Sequence, residues 1–305
     1  MEAAGSTEYD VAIVGGGPAG LSAALVLGRM RRRILVCDTG RPANAVSHGV
    51  GGLLTRDGTP PAELRAIARE EIAKYSTVEF RDAEVTAARA LDPGFELETG
   101  GGRVAARKLL LTHGLDYRRP DVPGLEELWG ERVFHCPYCH GWEVRDLRVA
   151  VLATTPRVAH QTLLLRSLTE DLVVLENGSG EPDAEGRAGL ERAGVEILPG
   201  PVARVEGDGA AIAIQLEGRE PLVRDALFIQ PDLTQACDLA LELGAELSGP
   251  ALVATDPTGA TDVPGLRVAG DAANAPQSVA VAIGSGSAAA AMLNAELAIE
   301  DAGAG

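Results

Sequence analysis

The sequence predicts an α/β fold built from two units of the β-α-β kind, because one order of elements occurs twice. Near the start, the apolar run 11–14 precedes GGGPAG, a helical stretch and a second apolar run that ends at Asp38. Further along, RVAVL (148–152), a helical stretch over 157–168 and LVVLEN (172–177) repeat this order. Short apolar runs between helices are typical of buried parallel strands. We therefore expect two three-layer, Rossmann-like domains.

Length, charge and cysteine content exclude several classes of function. With 305 residues, 46% of them hydrophobic, the chain can hold one large or two ordinary domains. A formal net charge of −17, with RRR at 31–33 as the one basic cluster, disfavours nucleic-acid partners. We find no run of roughly 18 apolar residues, no signal peptide and no disulfide scaffold among the four cysteines. We expect a cytoplasmic protein without membrane partners.

The first unit carries a GxGxxG pattern in Gly15, Gly17 and Gly20, with Pro18 and Ala19 inside the loop. Such glycines permit a tight turn, close approach of the backbone to a pyrophosphate and close helix–strand packing, and the helix N-terminus faces the phosphates. Asp38 ends the next strand, about 20 residues on, where a carboxylate meets ribose hydroxyls. This unit is predicted to bind a dinucleotide.

The second unit has ATTPR (153–157) where the glycine loop is expected. Thr and Pro lack the freedom of glycine at positive φ, and Pro156 also removes a backbone donor. Glu176 follows the next strand, at a place where a 2′-phosphate pocket needs arginines. The pattern predicts a degenerate NADPH site, and the alternative is an unusual loop that still binds NADPH weakly.

A CxxC motif lies in HCPYCHGWE (135–143) and allows three kinds of chemistry. CPYCH matches a haem-attachment pattern, and cysteines with flanking histidines are zinc ligand types, although adjacent Cys–His positions cannot readily all point inward. A redox dithiol fits better, because the spacing brings Cys136 and Cys139 within disulfide reach at a helix start, where N–H groups lower the pKa of a thiolate. We predict no metal site.

Four landmarks together resemble the low-molecular-weight thioredoxin reductase family of FAD-dependent disulfide oxidoreductases. They are GGGPAG (15–20), LLLTHG (109–114), the CxxC at 136–139 and AGDAAN (269–274). The resemblance implies that FAD is the cofactor, held by a split domain of residues 1–116 and 246–305. The middle domain, 117–245, would carry the CxxC, a β-meander over 195–230 and the degenerate NADPH site.

The resemblance also implies a set of FAD-binding residues. Gly270 and Asp271 would hold the ribityl–phosphate portion, and residues 277–279, at the start of a long closing helix, would approach the flavin ring. The predicted cofactor-binding residues are Gly15, Gly17, Pro18, Ala19, Gly20, Asp38, Arg41, Asn44, His48, Val85, Thr112, Gly114, Gly270, Asp271, Gln277, Ser278 and Val279.

Two departures from the reductases define a branch of that family. His140 stands directly after the second cysteine, where reductases carry an aspartate, and RPANAVSHGVGG (41–52) also differs from the reductase pattern. Both features look like those of the gliotoxin- and holomycin-type dithiol oxidases. That branch implies a small-molecule dithiol substrate, O2 as acceptor, hydrogen peroxide as product and a homodimer. The alternatives are an NAD(P)H- or ferredoxin-dependent thioredoxin reductase-like enzyme and a non-catalytic flavin-binding partner.

By the same resemblance, Cys139 faces the flavin and Cys136 exchanges with the substrate. Thiols must lose protons in this exchange, and histidine, with an unperturbed pKa of about 6.5, can accept them near neutral pH. His140 is the predicted general base and His135 the second candidate, with a rim or packing role as the alternative for His135.

Overall fold

The structure, a computed structural model, describes residues 8–178, 180–207 and 210–303. The start of the sequence, MEAAGSTEYD, predicts a short polar leader before the first strand, and residues 1–7 of it lie outside the described residues. The first part of the chain forms β1 (Tyr9–Val14), α1 (Pro18–Arg29), β2 (Ile34–Asp38), α2 (Pro61–Ala73), β3 (Val78–Asp82), β4 (Val85–Leu91), β5 (Gly94–Thr99) and β6 (Gly102–Leu111).

The middle part alternates strands with short helices. It forms β7 (Leu115–Arg118), β8 (Val133–Phe134), α3 (Pro137–His140), β9 (Val149–Leu152), α4 (Val158–Arg166), β10 (Leu172–Leu175), α5 (Ala184–Arg192), β11 (Glu196–Leu198), β12 (Val202–Gly207), β13 (Ile212–Leu216), β14 (Leu222–Arg224), β15 (Ala226–Phe228), β16 (Asp232–Gln235) and α6 (Leu239–Glu242). The last part forms β17 (Leu247–Ser248), β18 (Leu252–Val253), β19 (Leu266–Val268), a 3-10 turn (Gly270–Ala272) and α7 (Val279–Asp301).

The first and last parts build one sheet, here the large sheet, in the order β3-β2-β1-β6-β5-β4 with β19 also paired to β6. Strands β3, β2, β1, β6 and β19 run parallel, whereas β4 and β5 are antiparallel additions. Val14 is in register with both Cys37 and Leu111, so β1, β2 and β6 end at the same edge. Ligands of open parallel sheets bind at this carboxyl edge.

Helices α1, α2 and α7 cover one face of the large sheet, and buried residues of α1 and α7 share one core with β1 and β2. A Cβ added at Gly286 of α7 would lie 2.1 Å from the Ala19 carbonyl oxygen of α1, so the two helices cross in direct backbone contact. By length and a mean hydropathy of 1.2, α7 resembles a membrane-spanning helix, which corrects our expectation that no segment does. Part of its apolar surface is buried, since Ala282, Ala289, Ala290, Leu293 and Leu297 lie in the core that α7 shares with α1.

The middle part forms an all-parallel sheet, here the middle sheet, in the order β11-β10-β9-β15-β8. The expected meander is present as the antiparallel sheet β12-β13-β14. The chain leaves the large sheet after β6 and returns to it at β19, with β7 and β16 paired to each other between the two sheets. The predicted α/β fold with two Rossmann-like units is confirmed, and the domain boundaries near 116 and 246 stay predictions.

Candidate functional site

A cavity of about 580 Å³ lies between the carboxyl edge of the large sheet and α3. This volume falls within the range of small-molecule and cofactor sites. Most of the predicted cofactor-binding residues line it: Gly15, Gly17, Pro18, Ala19, Asp38, Arg41, Asn44, Val85, Thr112, Gly114, Gly270, Asp271, Gln277, Ser278 and Val279. Two predicted residues do not line it. Gly20 lies beneath the loop, and His48 is exposed on the outer side of its own loop.

The glycine loop is shaped by contacts with the end of β6. Gly15 has a φ of +108°, and a Cβ there would lie 2.4 Å from the Thr112 carbonyl oxygen, while a Cβ on Gly20 would lie 2.0 Å from the Gly15 carbonyl oxygen. The Thr112 hydroxyl donates to the carbonyls of Val14 and Gly15 at 3.0 and 2.8 Å. Beside Gly17, in contrast, a Cβ would meet nothing within 4 Å. The loop therefore leaves open space at the start of α1, where a phosphate group fits.

Asp38 ends β2 inside a cluster of donors. Its carboxylate accepts from Arg65 at 2.5 Å, from Arg69 at 3.3 Å and from the Gly40 amide at 3.1 Å. Asp38 is only 7% exposed, and a Cβ on Gly16 would lie 2.4 Å from one of its carboxylate oxygens. The carboxylate is thus fixed at the cavity wall, where Arg65 from α2 joins it.

On the opposite wall, the Tyr117 hydroxyl donates to the Asp271 carboxylate at 3.2 Å. Burial raises the pKa of both groups. The adjacent Gly270 has a φ of +74°, and its amide donates to the Ser285 hydroxyl of α7 at 3.0 Å. These contacts fix the turn before α7 against the cavity.

The two cysteines of the CxxC motif form a disulfide with a Cα–Cα distance of 5.2 Å. Cys136 is the N-cap of α3, and its sulfur accepts from the Cys139 amide at 3.1 Å. Cys139 lines the cavity, whereas Cys136 does not. Beside them, Tyr138 and Trp142 are 78% and 66% exposed. Cys139 is thus the cysteine on the cavity side, and two exposed aromatic residues lie close to the pair in the chain.

His140 closes α3 and lines the cavity. Its Nε2 lies 3.1 Å from the Ser47 hydroxyl, and its ring stacks on Phe134 at 4.5 Å between ring centroids. Burial lowers the pKa of His140, Glu143 opposes this effect and His48 adds to it. The imidazole is consequently neutral at pH 7 and able to accept a proton.

His135, the second predicted histidine, also lines the cavity. It stacks on Trp129 at 5.4 Å and lies 4.9 Å from the Tyr117 ring, measured between ring centroids. Burial, helped by the nearby His140, lowers the pKa of His135 to about 4. This histidine is held neutral in an aromatic wall.

The loop 41–52 contacts the CxxC segment at two places and Gly130, before β8, at a third. A Cβ on Gly51 would lie 2.6 Å from the Cys139 carbonyl oxygen, and a Cβ on Gly130 would lie 2.6 Å from Val46 Cγ2. The other contact with the CxxC segment is that of Ser47 with His140. A loop that joins β2 to α2 of the large sheet thus packs directly on α3.

At the second nucleotide-type position, at the end of β9, the chain makes close contacts with itself. The Thr154 hydroxyl donates to the Gln230 carbonyl at 2.7 Å. Gly180, with a φ of +71°, lies on the loop so closely that a Cβ there would come within 2.1 Å of the Thr154 carbonyl carbon. Glu176, at the end of β10, forms an ion pair with Arg187 of α5. The degenerate NADPH site stays a prediction.

Several cavity residues were not predicted from the sequence as contributors, namely Ser47, Gly51, Arg65, Tyr117, Trp129 and Cys237. The sequence predicts Cys237 on a helix face, whereas the residue precedes α6, and burial raises the pKa of its thiol. For His113, next to Gly114, the sequence allows either a role in shaping the FAD pocket or a side chain in solvent. The structure has it lining the cavity, with its Nε2 2.6 Å from Gln235 Oε1. Within the described part of the chain, no group of three or more His, Cys, Asp or Glu side chains is placed to hold a metal ion.

A disulfide held at the nucleotide-type edge of a parallel sheet defines a class of protein, the dinucleotide-dependent disulfide oxidoreductases. The chain belongs to the pyridine nucleotide-disulphide oxidoreductase family, which matches residues 9–286.

Relatives and solved structures show which members of this family the chain is similar to. Thioredoxin reductase tcpT of Claviceps purpurea is 34% identical over 311 residues, which cover 96% of this chain and 95% of that protein. Thioredoxin reductase aclD of Aspergillus oryzae is 32% identical over 309 residues, covering 96% and 98%. The crystal structure of HlmI superimposes with a TM-score of 0.91 at 35% identity, covering 97% of this chain and 94% of HlmI. The predicted resemblance to thioredoxin reductase-like enzymes, and to their gliotoxin- and holomycin-type branch, is confirmed, and the chain is a disulfide oxidoreductase of this kind.

Proposed function

We propose that the protein is a FAD-dependent dithiol oxidase, which forms an intramolecular disulfide in a small-molecule dithiol and passes the electrons to O2. One observation carries this proposal. The Cys136–Cys139 disulfide has Cys139 on the cavity side, while Cys136 lies outside the cavity lining beside exposed aromatic side chains. Such a disulfide can exchange with a substrate on one side and deliver electrons on the other.

The cavity residues fit FAD. The open space beside Gly17 and the N–H groups at the start of α1 suit a pyrophosphate, and Asp38 suits a ribose. In the described part of the chain, Arg65 Nε and His113 Nδ1 are buried without a hydrogen-bond partner, and a polar cofactor can satisfy such atoms. When bound, FAD supplies the two-electron acceptor for the dithiol.

Disulfide exchange on the protein proceeds in two displacements. A substrate thiolate attacks Cys136 Sγ, the Cys136–Cys139 bond breaks, and Cys139 leaves as a thiolate on the cavity side. The second substrate thiolate then attacks the substrate sulfur bound to Cys136, which closes the product disulfide and releases Cys136. The substrate has lost two electrons and two protons, and O2 takes them to give hydrogen peroxide.

His140 is the base of this exchange in our proposal. Only a thiolate attacks a disulfide sulfur, so each substrate thiol must lose a proton. Burial keeps His140 neutral near pH 7, and it ends α3, the short helix that Cys136 caps and to which Cys139 belongs. A positioned base of this kind contributes about 10²–10⁴-fold to rate.

The contacts of the chain with itself at the second nucleotide-type position support electron entry from thiols rather than from NADPH. Gly180 lies where the backbone of Thr154 would have to face a pyrophosphate, and Arg187 is already paired with Glu176. Tyr138 and Trp142, both exposed beside Cys136, offer an apolar surface for a small organic dithiol.

A second candidate function is an NAD(P)H- or ferredoxin-dependent disulfide reductase. It is favoured by the names of the relatives tcpT and aclD, which are both thioredoxin reductases. A reductase carries electrons in the opposite direction, from an external donor to a disulfide substrate.

Aerobic turnover with dithiothreitol tests the proposal. We expect oxidised dithiothreitol and hydrogen peroxide in equal amounts, at a rate well above that of free FAD, and loss of this activity in Cys136→Ala. Ser167→Ala is the matched control, because the Ser167 hydroxyl only donates to the Leu164 carbonyl on an exposed helix surface. A rate equal to that of free FAD contradicts the oxidase assignment.

A further inference from the structure

The hydrogen bonds of Ser47 determine which nitrogen of His140 carries a proton. The Ser47 hydroxyl lies 2.8 Å from the Gly49 carbonyl and 3.1 Å from His140 Nε2. A carbonyl oxygen can only accept a hydrogen bond, so the Ser47 hydroxyl donates its single proton to the Gly49 carbonyl. The remaining contact requires a proton on His140 Nε2, which donates to the Ser47 oxygen.

A neutral imidazole carries one proton, so Nδ1 of His140 is left with a free lone pair. In the described part of the chain, this Nδ1 is buried and has no hydrogen-bond partner. A buried acceptor without a partner is uncommon in folded proteins and calls for an explanation. His140 directly follows Cys139 at the end of α3, the helix that Cys136 caps, so a proton donor that approaches the disulfide can supply the missing partner.

We propose that Ser47 is a positioning residue, which holds His140 in the Nε2–H form so that Nδ1 is the atom that receives the proton of the substrate thiol. This inference rests on the proposed dithiol oxidation, in which His140 is the base. During the step, the S–H bond breaks, the proton moves to Nδ1, and the electron pair stays on sulfur as the attacking thiolate. His140 then carries both protons and is an imidazolium.

The surroundings of Ser47 and His140 keep this pair in place. The Phe134 ring stacks on His140 at 4.5 Å between ring centroids, which fixes the ring plane. Gly51 packs on the Cys139 backbone, which fixes the loop that carries Ser47. The titratable groups that act on His140 are Glu143, which favours its charged form, and His48, which disfavours it. His140 in turn lowers the pKa of the nearby His135.

Nitrogen-15 NMR of the histidine-labelled holoenzyme at neutral pH tests the tautomer directly. The chain contains five histidines, and the signal that is missing from the spectrum of His140→Gln is that of His140. We expect a protonated Nε2 and an unprotonated Nδ1 for His140 in the wild type, and loss of this single form in Ser47→Ala. A protonated Nδ1 in the wild type overturns the inference. This readout does not depend on turnover, so it stands even where dithiols fail to reduce the flavin and the proposed function itself is wrong.

The kinetic test compares Ser47→Ala, Ser47→Thr and the control Ser167→Ala at equal flavin content. We expect anaerobic flavin reduction by dithiothreitol to slow about tenfold in Ser47→Ala, since one hydrogen bond is lost, with the acid limb of its pH profile displaced. Ser47→Thr retains the hydroxyl and should restore both rate and pH profile, and Ser167→Ala should match the wild type. A Ser47→Ala enzyme with wild-type rate and pH profile overturns the proposal.

Discussion

Gly180 lies on the backbone of Thr154, and a Cβ added at Gly180 would come within 2.1 Å of the Thr154 carbonyl carbon. The segment that follows β10 therefore covers the loop that follows β9. In a dinucleotide-binding unit this position receives the pyrophosphate. The middle sheet keeps the architecture of such a unit, and a segment of its own chain lies across the loop at the binding edge.

The glycine loop of the large sheet makes a prediction that separates binding from folding. Gly17→Val should leave the melting temperature of the FAD-free protein unchanged and abolish FAD binding, because the new side chain enters the open space beside Gly17. Gly20→Val should destabilise the fold itself, because a Cβ there would lie 2.0 Å from the Gly15 carbonyl oxygen. Calorimetry and flavin absorbance measure the two effects. Normal FAD content in Gly17→Val would show that the pyrophosphate lies elsewhere.

The two sulfurs should respond differently to substitution. In Cys139→Ser, Cys136 keeps a free thiol that an acyclic disulfide such as 2-hydroxyethyl disulfide can trap. The resulting mixed disulfide should persist, because Cys139 no longer displaces it and the reagent has no second thiol on the bound half that could expel Cys136. In Cys136→Ser, the remaining Cys139 lies on the cavity side and should be trapped at least tenfold more slowly. Intact-protein mass spectrometry after incubation with 2-hydroxyethyl disulfide measures both. Equal trapping in the two variants contradicts the assigned roles.

The rate of flavin reduction should depend on the protonation of His140. Burial lowers the pKa of His140 below its usual 6.5. The neutral base is present above that pKa, so the rate should be full near pH 7 and fall only as the pH drops below about 6.5. His140→Ala should reduce the rate by roughly 100-fold and remove this acid limb while FAD stays bound. Stopped-flow absorbance over pH 5–8 gives the profile, and an acid limb retained in His140→Ala would assign the base elsewhere.

His135 should make the protein less stable in mild acid. Burial lowers its folded-state pKa to about 4, whereas the unfolded chain binds the proton near pH 6.5. As the pH falls from 6.5 to 4, the unfolded state takes up the proton first, so the free energy of unfolding should decrease by up to about 3 kcal/mol. His135→Phe keeps the aromatic contact and should lose this share of the pH dependence. Urea unfolding at pH 7 and pH 4.5 measures the loss of unfolding free energy in each protein. An equal loss in the wild type and in His135→Phe would contradict the prediction.

Asp38 should contribute to the stability of the fold as well as to FAD binding. Asp38→Ala leaves Arg65 and Arg69 without the buried carboxylate and should cost about 1–3 kcal/mol of unfolding free energy. Asp82→Ala is the matched control, since Asp82 pairs with the same Arg69 at 3.5 Å but its side chain is 85% exposed. Its effect should stay within about 0.5 kcal/mol. A control as destabilised as Asp38→Ala would mean that burial of the carboxylate is irrelevant.

The parts of the site that follow spacing rules could be predicted from the sequence. The glycine loop, Asp38 and the CxxC pair each lie at a fixed offset from a strand or helix, and the structure brings the loop, Asp38 and Cys139 of the pair to one cavity. Arg65 could not be predicted, because it reaches the cavity from a helix whose position depends on packing of α2 on α1.

The loop 41–52 shows a second limit of prediction from the sequence. The sequence singled out this loop, but an irregular backbone has no period that tells which side chain faces inward. His48 was expected at the flavin, and its neighbour Ser47 is the residue that turns to the cavity. Likewise, the hydropathy of α7 gives no sign of its partner. Only the backbone contact of Gly286 with α1 explains why this helix is rich in small residues.

The most direct test of the oxidase account is an anaerobic titration of the purified flavoprotein, first with NADPH and then with dithiothreitol, followed by flavin absorbance. The account predicts that NADPH leaves the flavin oxidised and that the dithiol bleaches it, with Cys136→Ala blocking the second effect. Rapid bleaching by one equivalent of NADPH would mean that the loop 153–157 still builds a working nucleotide site, and that the protein is a reductase.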